Sequence, residues 1–270
     1  MATYSESSFN TDHYNNARPN YPDSYYETLL DYHQGDKNVA VDVGCGSGFV
    51  AFKLADSFKN VVGTDISPVM ISQCEGNKKP NTTFKVCPAE QLKIDDASVD
   101  LIASAEALHW VDNNKFFPEA YRALKSGGTL SYWFYLEPIF TFPKANELYD
   151  EFAFGPNHLG PYWEQPGKDR LRNWLRDDDP SKFGFVDVIR NEFDPYNPTP
   201  TTLKISKTID LNDMKSYLTS WSAYHSWKKD SANDNKVDIV DQLINDLKPV
   251  VGDGEFVVTW GTVYTLARKK

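Results

Sequence analysis

The sequence predicts an α/β protein, with helices packed on a mostly parallel β-sheet, and three observations lead there. Between residues 37 and 125, short β-branched runs alternate with helix-like stretches, the pattern of strands that return to one sheet through helices. One strand runs directly into a glycine-rich turn and a helix, and the next strand ends on an acid. An apolar content of 40% over 270 residues is enough to bury a substantial core, and the chain is read as one domain over 1–270.

The candidate strands are 39–43, 61–64, 83–86, 99–103 and 129–135, each short and rich in Val, Ile, Thr or aromatic residues. Helices are expected to begin near Ser47 and Ser67, and another covers about 114–124. Gly127 and Gly128 mark a helix-to-strand turn after it. Beyond Tyr135 the alternation stops, and a segment rich in Pro, Trp, Tyr and Phe continues to about Pro200. Its Pro-rich loop, 194–200, is too short to separate domains. Val240, Leu243, Ile244 and Leu247 share one face of a helix ending near Pro249, and 256–267 reads as a last strand. The organisation is therefore an arm and helix (1–36), an alternating α/β half (37–135), a covering region (136–235) and a final helix and strand (236–270).

Composition narrows the function. The N-terminus is polar where a secretory signal needs a basic start and an apolar stretch, and no run of eighteen apolar residues occurs, so a cytoplasmic protein with no membrane partner is expected. Cys45, Cys74 and Cys87 form no CxxC pair and have no histidines at ligand spacing, so reduced thiols and no metal are expected. A formal net charge of -10 opposes phosphate backbones, which argues against nucleic acid as a partner.

The stretch VDVGCGSG (41–48) spaces its glycines as GxGxG, whereas dinucleotide enzymes use GxGxxG, whose last glycine is replaced here by Phe49. Gly44, Gly46 and Gly48 allow a tight turn and a close approach of backbone to ligand. Asp42 before the turn would repel a pyrophosphate but accepts a hydrogen bond from an ammonium, which favours S-adenosyl-L-methionine with its zwitterionic amino-acid end. Seventeen residues after Gly48, VVGTD (61–65) places Asp65 where one carboxylate accepts from both ribose hydroxyls. Ile66 and Met70 follow as apolar covers for the adenine faces.

With these two motifs, TFKVCPAEQL (83–92), VDLIASAEALHW (99–110) and RALKSGGTL (122–130), the chain resembles the class I S-adenosylmethionine-dependent methyltransferases. The resemblance implies a Rossmann-like, seven-stranded, mostly parallel sheet with an antiparallel last strand. It also places Ala89 and Glu90 at the adenine edge, although Pro88 stands where many relatives carry an adenine-binding Asp, and adds Glu106 to the cofactor set. YNNARPNYP (14–22) resembles an arm that folds over the methionine end, with Tyr14 against the cofactor and Arg18 pairing with its carboxylate.

The second half, through LGPYWEQPGKDRLRNW (159–174) and TSWSAYHSW (219–227), resembles the fungal trans-aconitate methyltransferases and their close relatives. That implies methyl transfer to a carboxylate, or another oxygen, of a small acidic metabolite, and a helical, aromatic insertion covering the substrate. A carboxylate is ionised near neutral pH and needs no general base, while a hydroxyl or amine would need one, with His109 or His225 first in line. Lys168, Arg170 and Arg172 supply positive charge for such an acceptor. Tyr217, Trp221, Tyr224, His225 and Lys228 recur at helical spacing and are placed on one helix face. Trp110, Trp133, Trp163, Trp221, Arg170, Arg172 and His225 are the candidate substrate contacts, in a monomer or weak homodimer. Two other readings fit the same motifs: a cofactor-binding sensor or partner subunit without turnover, and a protein methyltransferase.

Overall fold

The structure, a computed structural model, describes residues 17–270; Tyr14 lies outside the described residues. Its first half follows the alternation in the sequence: α1 (Asp23–Tyr32), β1 (Val39–Val43), α2 (Phe49–Leu54), β2 (Asn60–Asp65), α3 (Pro68–Gly76), β3 (Thr82–Val86), β4 (Val99–Ala105), α4 (Asn113–Ala123) and β5 (Leu124–Phe140). The second half contributes α5 (Pro143–Phe154), α6 (Gly167–Arg172), β6 (Phe185–Phe193), β7 (Ile205–Ile209), α7 (Leu211–Thr219), α8 (Ser222–Lys229), α9 (Ile239–Val251) and β8 (Phe256–Lys269).

The strands form an eight-stranded sheet in the order β3-β2-β1-β4-β5-β8-β6, with β7 also on β8. β1 to β5 are parallel, and β8 runs antiparallel to β5, β6 and β7. Both faces of the central strands are covered, so their sequences are apolar at nearly every position rather than alternating with polar residues. Ala40, Leu101, Ala103 and Trp133 face one core with Tyr25, Leu29, Ala51 and Leu54 from α1 and α2. Val41, Val43, Ile102, Tyr132 and Phe134 face the other with Phe116, Phe117 and Ala120 from α4. The chain leaves β1 toward β2 and β3 on one side and returns to β4 and β5 on the other, which opens a crevice beyond the carboxyl ends of β1 and β4.

Four details differ from the sequence expectation. Gly127 and Gly128 lie inside β5 rather than before it, in a register irregularity where Val99 pairs with Leu124 and Leu101 with Thr129. The last helix passes through Pro249 and ends two residues later at Val251, so the hydrogen bond and the steric freedom that the proline costs fall in its final turn. β6 adds the strand beyond the seven expected; a left-handed residue at Asp187 and a register shift between Val186 and Ile189 erase its alternation. The aromatic stripe is not one helix, since Trp221 is extended (φ -79, ψ 142) and separates α7 from α8. No helix among the described residues is long and apolar enough to cross a membrane.

Candidate active site

At the carboxyl end of β1 the chain turns through Gly44 (φ +68) and Gly46 (φ +51), left-handed conformations that favour glycine. A Cβ on Gly44 would stand 2.3 Å from that of Ala107, so this glycine lets the turn pack against the β4 loop. A Cβ on Gly46 would meet nothing within 4 Å, because it opens into a cavity of about 350 Å³. The turn is pinned from below by the Cys74 thiol, which donates to the Gly46 carbonyl at 3.2 Å, and from the side by the Gly46 N–H, which donates to Asp65 Oδ2 at 2.9 Å.

Two acids face this cavity with different support. Asp42 is buried; its Oδ2 accepts from the Ala51 N–H at 2.9 Å, while Oδ1 has no partner among the described residues. Burial, reinforced by the nearby Asp65, pushes its carboxyl up to about 7 despite the Ala51 hydrogen bond. Asp65 also lies above its ordinary range through burial, opposed by hydrogen bonds from the N–H groups of Ser67, Gly46 and Ile66. An unsatisfied buried carboxylate oxygen, an open glycine and a second acid one strand away fit a ligand that carries an ammonium and a diol.

The rest of the cavity is lined by Ile66, Met70, Ala89 and Glu90 on one side and by Arg18, Tyr21 and Tyr26 on another. Ser67 caps α3 by accepting from the Met70 N–H at 3.3 Å, which seats Met70 at the wall. Glu90 accepts from the Asp112 N–H at 2.9 Å and so ties the β3 loop to the start of α4. Gly48 (φ +91) also falls in the turn, but its space is closed by the Phe52 ring and Cys74.

A second cavity of about 70 Å³ adjoins the first, and Arg18, Glu106, Trp110 and Tyr135 line both. Its further walls are His109, Trp163, Tyr217 and Trp221. Lys168 is buried there, ion-paired with Glu137 at 2.5 Å, and its ammonium lies 4.0 Å from the centre of the Trp163 ring. Glu137 is held in turn by the Tyr149 hydroxyl at 2.7 Å. Arg18 donates to the Tyr135 hydroxyl at 3.3 Å and to the Ser220 carbonyl at 3.1 Å, and its guanidinium lies against the Tyr217 ring. Burial and the cations Lys168, Arg170 and Arg18 depress His109 to about 3, which leaves the ring neutral and a weak base.

Several residues expected at the acceptor are elsewhere. Arg170 donates to the carbonyls of His109 (3.2 Å) and Val111 (2.6 Å) and pairs with Asp178, bracing the loop after β4 from behind. Arg172 is exposed and stacks on Phe154, outside both cavities. α6 has 6 residues, less than two turns, and Trp174 and Leu175 beyond it are left-handed, so the helix ends before it can carry both arginines to the cavities. Trp133 is fully buried among Tyr21, Tyr25 and Tyr26, behind the cavity wall rather than on it. His225 falls on α8 and lines neither cavity, because the break at Trp221 turns that helix away; Tyr224 and Lys228 reach Asp238 instead. Glu137 and Tyr135 were not singled out from the sequence. The available signal was an acid followed by proline inside an apolar strand, which marks the register shift between Tyr135 and Pro138.

Residues 41–132 match the family model described as a methyltransferase domain. A Saccharomyces cerevisiae protein named as a probable S-adenosylmethionine-dependent methyltransferase, CRG1, is 33% identical over 294 aligned residues, spanning 99% of this chain and 98% of that relative. A Dictyostelium discoideum protein named as a methyltransferase is 31% identical, spanning 95% of this chain and 92% of its own. A solved structure from Anaeromyxobacter dehalogenans, presented as a type II methyltransferase, shares the fold with a TM-score of 0.71 at 24% identity, over 93% of this chain and 97% of that one.

Proposed function

Because the chain belongs to the S-adenosylmethionine-dependent methyltransferases, we propose that it methylates a carboxylate oxygen of a small acidic metabolite, of which trans-aconitate is an example. S-adenosylmethionine is the cofactor, and it supplies an electrophilic methyl group on a sulfonium centre. Asp42 and Asp65 fit its ammonium and ribose hydroxyls, Gly46 leaves the space that it needs, and Ile66 and Met70 offer apolar cover.

The observation that carries the acceptor assignment is the placement of Lys168. In a protein of net charge -10, this lysine is buried in a small aromatic cavity that shares a wall with the cofactor cavity. Burying an ammonium is costly unless it is paired, and beyond Glu137 an anionic ligand is the partner that the cavity offers room for. Lys168 and Arg18 then anchor one carboxylate while a second accepts the methyl group. An ionised carboxylate requires no base, which agrees with a His109 that is neutral and only weakly basic. The residues serve instead to align the oxygen and exclude water, with Trp110, Trp163 and Trp221 as walls.

The test is calorimetric titration with S-adenosylhomocysteine, followed by a methyl-transfer screen over di- and tricarboxylic acids. Lys168→Met should raise the acceptor KM at least about tenfold with cofactor affinity retained. The pair Lys168→Met/Glu137→Gln keeps the cavity neutral and separates loss of the anchor from loss of the fold. Transfer to an amine or a protein, with none to any acid, would sink the assignment.

A further inference from the structure

Glu106 stands where the two cavities meet, and its backbone and side chain are both fastened to β5. Its N–H donates to the Trp133 carbonyl at 3.0 Å, its Oε1 accepts from the Tyr135 N–H at 2.5 Å, and its backbone is left-handed (φ +53). This conformation is uncommon for a residue with a side chain, so the clamp holds the carboxyl in one place. That hydrogen bond uses one carboxyl oxygen, and the residue lines both cavities.

We propose that Glu106 is a specificity-determining residue whose second carboxyl oxygen donates a hydrogen bond to the anionic end of the acceptor. The inference rests on the carboxylate-acceptor reading above. The contrast with Asp65 supports it: Asp65 has three backbone N–H groups to hold it ionised, whereas Glu106 has one. The groups that face Glu106 are Arg18 from the N-terminal segment, Glu137 from β5, Lys168 from α6 and Tyr217 from α7. Arg18 and Lys168 favour its anion and Glu137 disfavours it, but burial outweighs them and pushes the carboxyl up to about 8. Near neutral pH, Glu106 is therefore a hydrogen-bond donor. Ionised, it would face the acceptor with a like charge.

The pH dependence has a definite sign. Below about 8 the proton is present and the anion is admitted; above it the proton is lost and KM rises. Between pH 7 and pH 9 the protonated fraction falls about tenfold, so the wild-type KM for the best carboxylic acid should rise about tenfold while the acceptor stays ionised throughout. The profile is measured at saturating cofactor, whose positive charge lowers the midpoint below its ligand-free value, so the tenfold rise is read across the two pH units that bracket the observed midpoint. Glu106→Gln retains an acceptor for the Tyr135 N–H and a donor toward the cavity but cannot ionise, and its KM ratio between the two pH values should fall below about twofold. Glu106→Ala should raise KM at pH 7 by at least about tenfold.

A flat wild-type profile, or a Glu106→Gln profile that still rises tenfold, overturns the inference and leaves the function intact. Loss of S-adenosylhomocysteine affinity by tenfold in Glu106→Gln overturns it as well, since the carboxyl would then serve the cofactor as an anion. Absence of transfer from the wild-type protein to any carboxylic acid removes both the inference and the reading on which it rests. Thermal unfolding of each variant identifies any that fails to fold, and the Glu106→Gln profile carries the test if Glu106→Ala does.

Discussion

Burial of Asp42 beneath the glycine turn pushes its carboxyl up to about 7, so near neutrality about half of the ligand-free molecules hold it protonated. An ammonium binds the ionised form better, and cofactor affinity should therefore increase from pH 6 to pH 8 with release of a proton. Calorimetry in buffers of different ionisation enthalpy checks this, and proton uptake would contradict it. The same carboxyl is a stability liability. Its folded value lies above the ordinary 3.8, so it favours the folded state at low pH, and that contribution is lost as pH rises through about 7. Asp42→Asn should stabilise the ligand-free protein at pH 8 by an amount on the order of 2–4 kcal/mol while weakening the cofactor at least about tenfold. A lower Tm for this variant would show that the hydrogen bond from the Ala51 N–H to the ionised carboxylate outweighs the cost of burying it. Asp42 was legible in the sequence because its position, at the end of β1 beneath the glycine turn, follows from a local motif. Glu137 and Lys168 were harder to place, since what makes them a pair is contact between β5 and α6 across the covering region.

The glycine turn separates two kinds of glycine within one short element. Gly46→Ala adds a methyl group in open space at a left-handed position, which costs the fold about 1–2 kcal/mol and projects into the cavity assigned above to the cofactor. Gly44→Ala drives a methyl group into Ala107 at 2.3 Å from a left-handed position, and the turn must shift. The first variant should lose cofactor affinity with only a few degrees of Tm, and the second should lose clearly more Tm than the first; the reverse ranking would refute the division. Arg170→Ala should act on stability, since the carbonyls of His109 and Val111 and the Asp178 carboxylate lose their common donor, at a cost of about 2–4 kcal/mol. Elements whose limits rest on local chemistry were readable: β1 with its turn, β2 with its acid, and α3 with its Ser67 cap. The break at Trp221 carries neither Gly nor Pro, and only the burial of Trp221 against Tyr149, Trp163 and Tyr217 explains it. A periodicity argument therefore joined two helices that packing keeps apart.

Across the whole molecule, the alternation of strands and helices and the switch point between β1 and β4 are what the sequence made visible, because parallel strands buried on both faces are apolar throughout. β6 and β7 were hidden because they are short or bulged and depend on a single neighbour. On the carboxylate-acceptor reading proposed above, the long-range field of a protein of net charge -10 repels the acceptor while Lys168 and Arg18 attract it at close range. Added salt screens the first effect more than the second, and kcat/KM for a dicarboxylate should rise between 10 and 150 mM ionic strength, conditions over which the screening length falls from about 30 to 8 Å. A fall would locate a basic approach path on the surface. β8 binds β5 along one edge and shares its other edge between β6 and β7, yet it follows all three in chain order. On the ribosome, β1 to β4 can therefore assemble in chain order, whereas β6 and β7 wait without a hydrogen-bonding neighbour until residues 256–269 emerge. A nascent chain halted before that point would leave the outer edge of β5 bare, making the interval before residues 256–269 emerge the moment at which this fold most needs a chaperone.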